Sequence, residues 1–287
     1  MNKQCLVCGG SFQESRIKGL VQCKDCGFLT TNLELTQEEI KQLYSANYYH
    51  GEEYADYLSD KEIIQHNFRK RIRRIGKFVP DRKRLHLFEI GCAYGFFLEA
   101  AKEFFCDTEG IDISEDAVKY ARETLGQNAH DGDFAAFETD KKQDIVCMWD
   151  TIEHLDKPEV YVKKAYELLN AEGYICITTG DVGSLNARMR GRKWRQIHPP
   201  THLHYFSKKT LSLLLQKNGF EVVDVSYPAN TISVNTVLYT LLCLKSSHEK
   251  MYRFFKRLGV TKINININFH DFMFVIAKKN TGDCETK

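Results

Sequence analysis

A glycine-rich turn stands in the middle of the chain, directly after an apolar run. Residues 87–98 read Leu-Phe-Glu-Ile-Gly-Cys-Ala-Tyr-Gly-Phe-Phe-Leu, the pattern of a buried strand that passes through Gly91 and Gly95 into a helix. Glycine lets the backbone approach a ligand where a Cβ would collide, and open sheets bind ligands at the carboxyl ends of their strands. The turn is therefore predicted to cradle a ligand.

The residues in and beside the turn favour one class of ligand. The dinucleotide fingerprint needs a glycine where this chain has Ala93, and the lysine and serine of a phosphate-binding Walker loop are absent. The carboxylate of Glu89 would repel a pyrophosphate, but it would attract a ligand with a sulfonium and an ammonium group. We therefore predict S-adenosyl-L-methionine as the cofactor. Besides Glu89 and the two glycines, the turn contributes Cys92 and Tyr94 to the predicted site.

Two further acidic residues follow at spacings that suit the adenosine half of this cofactor. Asp112 ends the next apolar run, about twenty residues after the glycines, where a carboxylate can accept hydrogen bonds from both ribose hydroxyls. Ile113 follows it directly. Asp133 and Phe134 come after a short third strand, where a carboxylate and a ring can hold the edge and the face of the adenine. All four residues are predicted cofactor contacts.

Glu153, His154 and a histidine-rich run at 197–206 are the candidates for acid–base chemistry. Methyl transfer is a displacement at a carbon that the sulfonium already activates, so the protein must align the acceptor, exclude water and deprotonate a hydroxyl acceptor. Histidine, with an ordinary pKa of about 6.5, can accept that proton at neutral pH. We place His154 first as the base and His204 second. No carboxylate lies within the run, which disfavours a metal site on its three histidines.

Two Cys-x-x-Cys pairs near the N-terminus have the spacing of a metal site. Cys5 and Cys8 form the first pair, Cys23 and Cys26 form the second, and each pair is followed by a glycine. Two thiolates spaced in this way can face one ion, and four of them complete a closed tetrahedral zinc site. A short polar segment also needs such a staple to fold. We predict a structural zinc ion, with no open position for catalysis, in a small zinc-ribbon-like module.

From residue 85 onward, short apolar runs alternate with helical patterns, and these elements must position the groups above. The alternation predicts a parallel sheet covered by helices. The predicted strands are 85–91, 107–112, 143–149, 173–179, 220–227 and 270–278. The predicted helices are 94–104, 114–125, 158–169 and 208–218. Ser114 and Ser207 are the predicted N-caps, and Gly126 and Gly219 are the predicted helix stops.

Length and composition allow one α/β core with an appendage, since the chain has 287 residues of which 43% are hydrophobic. We predict a zinc-binding module at 1–30, a helical, tyrosine-rich substrate or linker segment at 31–84, and a domain that binds the cofactor and transfers the methyl group at 85–287. Within this last domain, residues 229–262 are predicted to form a helical insertion or lid.

Charge, cysteine usage and hydropathy restrict the partners and the compartment. The formal charge of +2, from 40 basic and 38 acidic residues, produces no global field that would attract a polyanion. The cysteines outside the two pairs stand singly, which is typical of a reducing compartment. No stretch reaches the roughly 20 apolar residues of a membrane span, and no signal-peptide core follows Met1. We predict a cytoplasmic protein without a transmembrane segment that acts on a small molecule; the sequence sets no oligomeric state.

Residues 85–180 resemble class I S-adenosylmethionine-dependent methyltransferases. The resemblance lies in Glu89-Ile-Gly-Cys-Ala-Tyr-Gly95, Gly110-Ile-Asp112, Gly132-Asp-Phe134 and residues 144–155. At 168–174 such enzymes usually have Pro-Gly-Gly, which this chain lacks. The resemblance implies a Rossmann-like, seven-stranded sheet with helices on both faces and an antiparallel last strand. It also implies that Trp149 and Asp150 lie near the methionine end of the cofactor.

Two other segments are similar to bacterial small-molecule methyltransferases, including enzymes that modify sugars. The matching elements are His202-Leu-His-Tyr-Phe-Ser207 and Gly219-Phe-Glu-Val222. Several sugar-modifying members also begin with two Cys-x-x-Cys pairs and a tyrosine-rich segment, which this chain has at 44–57. The similarity implies a small hydroxylated acceptor, such as a nucleotide-linked sugar or a glycan precursor. We expect methylation of oxygen or carbon, although the sequence does not name the acceptor atom and nitrogen stays open as well.

Two other functions are compatible with the sequence. Some ribosomal-RNA methyltransferases join a cysteine-rich zinc module to this fold, and the basic stretches 69–74 and 188–195 could bind phosphates while Trp194 stacks on a base. The near-neutral charge and the histidine-rich run favour a compact pocket over such a track. The other alternative is a non-catalytic regulatory protein that binds zinc and the cofactor.

Overall fold

The computed structural model describes residues 4–33, 39, 58, 60–239, 241–242, 248–260 and 263–281. The strands among them are β1 (Phe12–Glu14), β2 (Leu20–Cys23), β3 (Leu29–Thr31), β4 (His86–Ile90), β5 (Asp107–Asp112), β6 (Asn128–Asp131), β7 (Gln143–Trp149), β8 (Leu169–Gly180), β9 (His204–Tyr205), β10 (Phe220–Ser226), β11 (Asn230–Ser233), β12 (Asn264–Ile267) and β13 (Phe272–Lys279). The α-helices are α1 (Lys61–Ile75), α2 (Phe96–Ala101), α3 (Glu115–Glu123), α4 (Pro158–Leu168), α5 (Leu185–Arg190), α6 (Lys208–Lys217), α7 (Val234–Tyr239) and α8 (Glu249–Arg257).

The central sheet has seven strands in the order β10-β13-β8-β7-β4-β5-β6. The five strands from β8 to β6 in this order run parallel to one another. Strand β13 runs antiparallel to both of its neighbours, β8 and β10. The seven strands and the antiparallel last strand confirm the mixed α/β architecture that the sequence predicts. Because β4 lies beside β7, the turn after β4 and the acidic segment after β7 meet at one edge of the sheet.

The core covers both faces of this sheet, because successive side chains of a strand point to opposite sides. In β7, Ile145, Cys147 and Trp149 belong to the apolar cluster that includes residues of α1, α2 and α3. Val146 and Met148 belong to the other cluster, which includes residues of α4 and α6. All five side chains are buried, so β7 is apolar at each of these positions and helices pack on both faces.

Helix boundaries follow local capping chemistry. The Ser207 hydroxyl accepts a hydrogen bond from the backbone N–H of Thr210, and the Thr210 hydroxyl accepts one from the backbone N–H of Ser207, so α6 begins at a capping box. Ser114 precedes α3, but its side chain makes no capping hydrogen bond. Helix α2 is shorter than predicted, because the glycine turn extends to Gly95 and the helix ends at Ala101.

A second sheet joins the N-terminal residues to the main fold. Its four strands run in the order β1-β2-β3-β9, so two residues from the histidine-rich run complete the sheet that the N-terminal strands begin. Thr30 of β3 pairs with His204 of β9, and the Phe28 ring lies 5.2 Å from the Phe206 ring between centroids. The N-terminal residues therefore pack directly on the histidine-rich run.

The segment between β10 and β13 contains a hairpin that packs on α1, and the short helices α7 and α8. Strands β11 and β12 pair antiparallel, and the side chain of Asn67 in α1 makes two hydrogen bonds of 2.8 Å to the backbone of Thr231. The tyrosine-rich stretch 44–57 lies outside the described residues, and the domain limits given above remain predictions. Within the described ranges, no helix has both the length and the apolar character needed to cross a bilayer.

Candidate active site

The turn after β4 has the backbone of a ligand-binding glycine loop. Gly91 and Gly95 have φ angles of +79° and +75°, a region that favours glycine, and a Cβ on Gly91 would come within 2.5 Å of the Thr151 hydroxyl oxygen. The N–H groups of Gly91 and Cys92 donate to the Ile111 carbonyl at 2.8 and 3.1 Å. The turn is thereby fixed to β5 at the edge where the parallel strands end.

Asp112 connects the turn to the end of β5. Its Oδ2 accepts a hydrogen bond from the N–H of Ala93 at 2.8 Å, and its Oδ1 accepts one from the N–H of Ser114 at 2.9 Å. A carboxylate has about four lone-pair sites, so acceptor capacity remains for ribose hydroxyls. Burial raises the pKa of Asp112, and the backbone donors lower it. The residue thus shapes the turn and can also serve a bound nucleoside.

Replacing Asp112 with alanine is expected to weaken the binding of S-adenosylmethionine by about tenfold or more, because a hydrogen bond to a charged group contributes about 1.5–3 kcal/mol. Calorimetric titration would give the dissociation constant. Asp112→Asn keeps the volume of the side chain but has one acceptor oxygen, so its affinity should lie between those of the wild type and the alanine variant. Unchanged affinity in Asp112→Ala would remove this residue from the cofactor site.

Two buried ionic side chains near this edge have atoms without a partner. Glu89 is 2% exposed, and its Oε2 has no hydrogen-bond partner among the described residues. Arg71 is 7% exposed, and in the same described part of the chain its Nε and Nη1 are also unpartnered. Buried polar atoms are nearly always satisfied, so this pair indicates a ligand with both a cationic and an anionic group. The ammonium and the carboxylate of the methionine moiety fit the two side chains.

Arg71 is a candidate site residue that the sequence alone does not single out, since it stands in a basic stretch typical of a solvated helix face. Its guanidinium carbon lies 5.2 Å from the ring centroids of both Phe68 and Trp149. One of its terminal nitrogens lies 3.7 Å from Asp150 Oδ2. The Thr178 hydroxyl donates to the other Asp150 oxygen at 3.0 Å. The predicted residues Trp149 and Asp150 therefore lie beside this guanidinium group, whose Nε and Nη1 have no partner among the described residues.

The other predicted cofactor residues are more enclosed. Phe134 is 2% exposed and lies between Phe88 and Tyr161, at centroid distances of 5.6 and 6.1 Å. Asp133 accepts hydrogen bonds from the Tyr161 hydroxyl and from a backbone N–H. Cys92 and Tyr94 are buried, and Ile113 is partly exposed. Phe134 thus packs in the core, and its contact with an adenine remains a prediction, as do the contacts of the other four.

Glu153, His154 and His202 come together beyond the carboxyl end of β7. One potential ligand atom from each of the three side chains lies within 4.8 Å of the other two. The rings of His154 and His202 are 4.5 Å apart at their centroids and nearly perpendicular, at 88°. The Glu153 carbonyl accepts hydrogen bonds from the N–H groups of Leu203 and His204, which hold the histidine-rich run against the segment after β7. The fold thus brings His202 to Glu153 and His154, which are adjacent in the sequence.

Backbone carbonyls fix which nitrogen carries the hydrogen in two of these rings. His154 Nδ1 lies 2.8 Å from the Thr201 carbonyl oxygen, and His202 Nδ1 lies 3.0 Å from the Gln196 carbonyl oxygen. A carbonyl only accepts, so Nδ1 donates in each ring and Nε2 keeps the lone pair of the neutral form. Burial, together with the nearby His154 and His198, lowers the pKa of His202 to about 2. His202 is therefore neutral at physiological pH.

Glu153 is the buried carboxyl group of this cluster. It is 3% exposed, and its Oε2 has no hydrogen-bond partner within the described ranges. Burial, and after it the nearby Asp150 carboxylate, raise the pKa of Glu153 to about 8. In the ionised form this oxygen can accept a hydrogen bond or bind a cation, and in the protonated form the carboxyl group can donate a hydrogen bond.

His204 lies apart from the cluster, at the contact with the N-terminal residues. Its Nδ1 is 2.9 Å from the Thr30 hydroxyl oxygen, and its Nε2 is 3.4 Å from the Asp156 carbonyl oxygen. The residue is buried, and its ring centroid lies 5.6 Å from that of Phe28. These surroundings favour His154 over His204 as a proton acceptor, because His154 lies beside the carboxyl ends of the strands.

The four cysteines predicted to bind metal form one cluster. Their sulfur atoms all lie within 4.8 Å of one another, with 3.6 Å between Cys5 and Cys26 and 3.3 Å between Cys8 and Cys23. All four are free thiols. In a tetrahedral zinc site with Zn–S bonds of about 2.3 Å, neighbouring sulfur atoms are about 3.8 Å apart. The donor set and the spacing therefore fit a thiolate-bound metal ion.

Several side chains of the basic stretches that could bind RNA already have partners within the protein or are buried. Arg69 and Arg74 form ion pairs with acidic side chains at 2.7 and 2.5 Å, and Arg71 is buried. Trp194 is 2% exposed, and its Nε1 donates to the Asp271 carboxylate at 2.8 Å. A nucleic-acid base therefore finds no open face of Trp194 on which to stack.

The sheet order, the glycine turn and the acidic strand ends together define a class I S-adenosylmethionine-dependent methyltransferase. The chain belongs to the methyltransferase-domain family, whose profile matches residues 61–225, more than half of the sequence.

Individual relatives are distant in sequence. A ubiquinone biosynthesis O-methyltransferase of Pelagibacter ubique is 23% identical over 182 residues, which cover 54% of this chain and 74% of the relative. An S-adenosylmethionine-dependent methyltransferase from Archaeoglobus fulgidus aligns with a TM-score of 0.51 and 24% identity over 78% of this chain and 100% of that one. Magnesium protoporphyrin IX methyltransferase from Synechocystis, solved with S-adenosylhomocysteine, aligns with a TM-score of 0.53 and 13% identity over 85% and 100% of the two chains. At these identities the solved structures support the fold.

Proposed function

We propose that this methyltransferase transfers a methyl group to a hydroxyl oxygen of a small acceptor, with His154 as the base. The observation that carries the proposal is the cluster of Glu153, His154 and His202 beside Asp150, at the edge of the sheet where the cofactor residues converge. The lone pair on His154 Nε2 is suited to accept the hydroxyl proton. The Pelagibacter relative is named an O-methyltransferase, and this name supports an oxygen acceptor.

The acceptor class that we propose is a sugar or a glycan precursor, with methylation of carbon as the second form of the reaction. The similarity of 202–207 and 219–222 to sugar-modifying enzymes supports this class. Imidazole and carboxyl groups next to the cofactor residues also suit an acceptor with several hydroxyls, since each can make a hydrogen bond with one of them. We further propose that the enzyme works in the cytoplasm.

In the proposed mechanism the protein orients two substrates and moves one proton. S-adenosylmethionine, when bound, supplies a methyl carbon that its sulfonium activates. Glu89 would hold the ammonium, Arg71 would hold the carboxylate, and Asp112 would accept hydrogen bonds from the ribose. His154 takes the acceptor proton as the oxygen attacks, and Glu153 and His202 hold the acceptor beside it.

We also propose that Cys5, Cys8, Cys23 and Cys26 hold a structural zinc ion. The closeness of their four sulfur atoms supports this assignment. Because β3 pairs with β9, a metal-bound module would support the histidine-rich run on which His202 lies.

Replacing Cys8 with serine is expected to release one equivalent of zinc and to lower the temperature of unfolding, because a structural zinc ion contributes its binding energy to folding. Elemental analysis and thermal unfolding would measure the two effects. The matched control is Cys106→Ser, which removes an exposed free thiol and should change neither quantity. Full zinc content in Cys8→Ser would overturn the assignment.

The acceptor can be identified by incubating cell extracts with the enzyme and S-adenosylmethionine that carries a deuterated methyl group. Mass spectrometry is expected to find the label on a small hydroxylated product, at lower yield with His154→Ala. Label in RNA would favour the ribosomal-RNA alternative and contradict the small acceptor. Failure to bind the cofactor in a calorimetric titration would contradict both methyltransferase proposals, and binding of the cofactor without any labelled product would favour the non-catalytic regulatory protein.

A further inference from the structure

The cluster of Glu153, His154 and His202 has the composition of a metal site of a different kind from the four cysteines. It combines two imidazole groups and one carboxyl group, with one potential ligand atom from each within 4.8 Å of the others. The histidine-rich run contains no carboxylate of its own, and the fold supplies one from the segment after β7. Two histidines and one carboxylate form a recurrent ligand set for divalent transition metals.

Hydrogen bonds to the backbone orient the two histidine rings of the cluster in the way that metal-binding histidines are oriented. Histidines that bind metals almost always donate their second ring N–H to a carbonyl, a carboxylate or water, which fixes the ring and its tautomer. His154 and His202 both donate from Nδ1 to backbone carbonyls, those of Thr201 and Gln196. In the neutral form that binds metals, the nitrogen with the lone pair is therefore Nε2 in each ring.

Glu153 provides a second, independent observation. The side chain is more than nine-tenths buried, with 3% of the residue exposed, and Oε2 has no partner in the part of the chain that the structure describes. Leaving a carboxyl oxygen in this state is costly. The two neighbouring rings already use their Nδ1 hydrogens on carbonyls, so in their neutral forms neither can donate to Glu153. A cation between the three side chains would satisfy the Glu153 oxygen.

We propose that Glu153, His154 and His202 bind a divalent transition-metal cation, such as Mn²⁺, Fe²⁺, Co²⁺ or Zn²⁺, at a site separate from the four cysteines. Neighbouring ligand atoms around such an ion are about 3–4 Å apart, so a small rotation of the side chains closes the present spacing of up to 4.8 Å. Three protein ligands leave coordination positions open, whereas four cysteines fill theirs. The ion can therefore bind a hydroxyl oxygen of the acceptor.

This inference rests on the proposed transfer of a methyl group to a hydroxyl, and it replaces the role of His154 as the base with that of a metal ligand. A hydroxyl bound to the ion becomes more acidic, because the cation stabilises the oxygen anion. The hydroxyl proton then passes to water, the oxygen takes the methyl carbon, and S-adenosylhomocysteine leaves as it does without the ion. In the metal-bound enzyme His154 holds the ion and does not take the proton itself. Acceptors with adjacent hydroxyls would be favoured, since two oxygens can occupy two open positions.

The test is a titration of the purified, zinc-loaded enzyme with Mn²⁺, followed by the electron paramagnetic resonance signal of free Mn²⁺. Thiolates prefer zinc, so Mn²⁺ reports on a nitrogen and oxygen site. We expect one saturable Mn²⁺ per chain in the wild type, and binding at least about tenfold weaker in Glu153→Gln and His154→Gln. The matched control is His130→Gln, because His130 forms a separate histidine–carboxylate pair with Glu109, at 2.7 Å. It should bind Mn²⁺ as the wild type does.

Two results would overturn the site: a wild type without saturable Mn²⁺ binding, or a folded Glu153→Gln variant that binds Mn²⁺ as tightly as the wild type. Folding of each variant is checked by circular dichroism and thermal unfolding, and His154→Gln, whose ring is only half-buried, covers the case in which Glu153→Gln does not fold. The two proposals fail differently. Methyl transfer to a hydroxyl without Mn²⁺ binding contradicts the metal site alone, and Mn²⁺ binding without transfer to any hydroxyl supports the site and contradicts the proposed function.

Discussion

Replacing Arg71 with alanine is expected to weaken the binding of S-adenosylmethionine by about 10²-fold, because a hydrogen bond to a charged group contributes about 1.5–3 kcal/mol and two donors would be lost. The Nε and Nη1 atoms of this buried side chain have no partner among the residues described. The nearest carboxylate, that of Asp150, lies 3.7 Å from a different nitrogen. The cofactor carboxylate is thus the expected acceptor for both free donors. Calorimetric titration would measure the loss.

A cofactor analogue without the methionine carboxylate separates this contact from a general disturbance of the site. The wild type should bind decarboxylated S-adenosylmethionine about 10²-fold more weakly than the normal cofactor, and Arg71→Ala should bind the two about equally. Arg69→Ala is the matched control, because Arg69 stands on the same helix and forms a partly exposed ion pair with Glu103. It should discriminate as the wild type does. If Arg71→Ala still discriminates against the analogue, the carboxylate binds elsewhere.

The cofactor turn could be predicted from the sequence because its signals are local. The positive φ angles of Gly91 and Gly95 are requirements of a turn of five residues. The apolar run before it and the acidic end of β5 are each set within one strand. The parallel pairing of β4 with β5 then brings Asp112 to the turn, where it accepts the N–H of Ala93. The order of the chain is enough to anticipate that pairing.

Arg71 could not be predicted because its role depends on packing between distant elements. Helix α1 carries several basic residues, and periodicity alone assigns them to solvent. Arg69 and Arg74 do reach acidic partners near the surface, whereas Arg71 points at the sheet and lies against Phe68 and Trp149. The rotation of α1 about its axis decides which of the three arginines faces the sheet. The core side chains of the helix and of the sheet fix that rotation.

The choice among the histidines is set by strand pairing of the N-terminal residues. The register of β3 against β9 places His204 opposite Thr30 and buries its ring near Phe28. His202 lies just before β9, where its ring meets that of His154. The sequence favours His204 among the histidines of the run and could not reveal this arrangement, because the strand that separates His202 from His204 comes from more than 170 residues away, as the Thr30–His204 hydrogen bond shows. The N-terminal residues that contain the four cysteines therefore determine, through the pairing of β3 with β9, which histidine lies beside His154.

Replacing His154 with alanine is expected to lower the turnover number by about 10² or more, because a positioned base contributes about 10²–10⁴ in rate. The dissociation constant of S-adenosylmethionine should not change, since the ring contacts Thr201 and His202, whereas Glu89 and Asp112 belong to β4 and β5. Steady-state kinetics and calorimetry would measure the two quantities. His86→Ala is the control, because His86 begins β4 at the opposite edge of the sheet and pairs with Asp107.

The cause of the loss in His154→Ala can be resolved by pH and by chelation. If the ring takes the proton, the acidic limb of the pH–rate profile disappears in the variant and a chelator leaves the wild type unchanged. If the ring holds a cation, a chelator reduces the wild type to the rate of the variant and added Mn²⁺ restores it. Turnover at the wild-type rate in His154→Ala would contradict both roles and would leave the alignment of the acceptor as the main contribution of this cluster. In that case Glu153→Gln should also turn over at the wild-type rate, because Glu153 belongs to the same cluster. The histidine-rich run would then serve to shape the acceptor pocket.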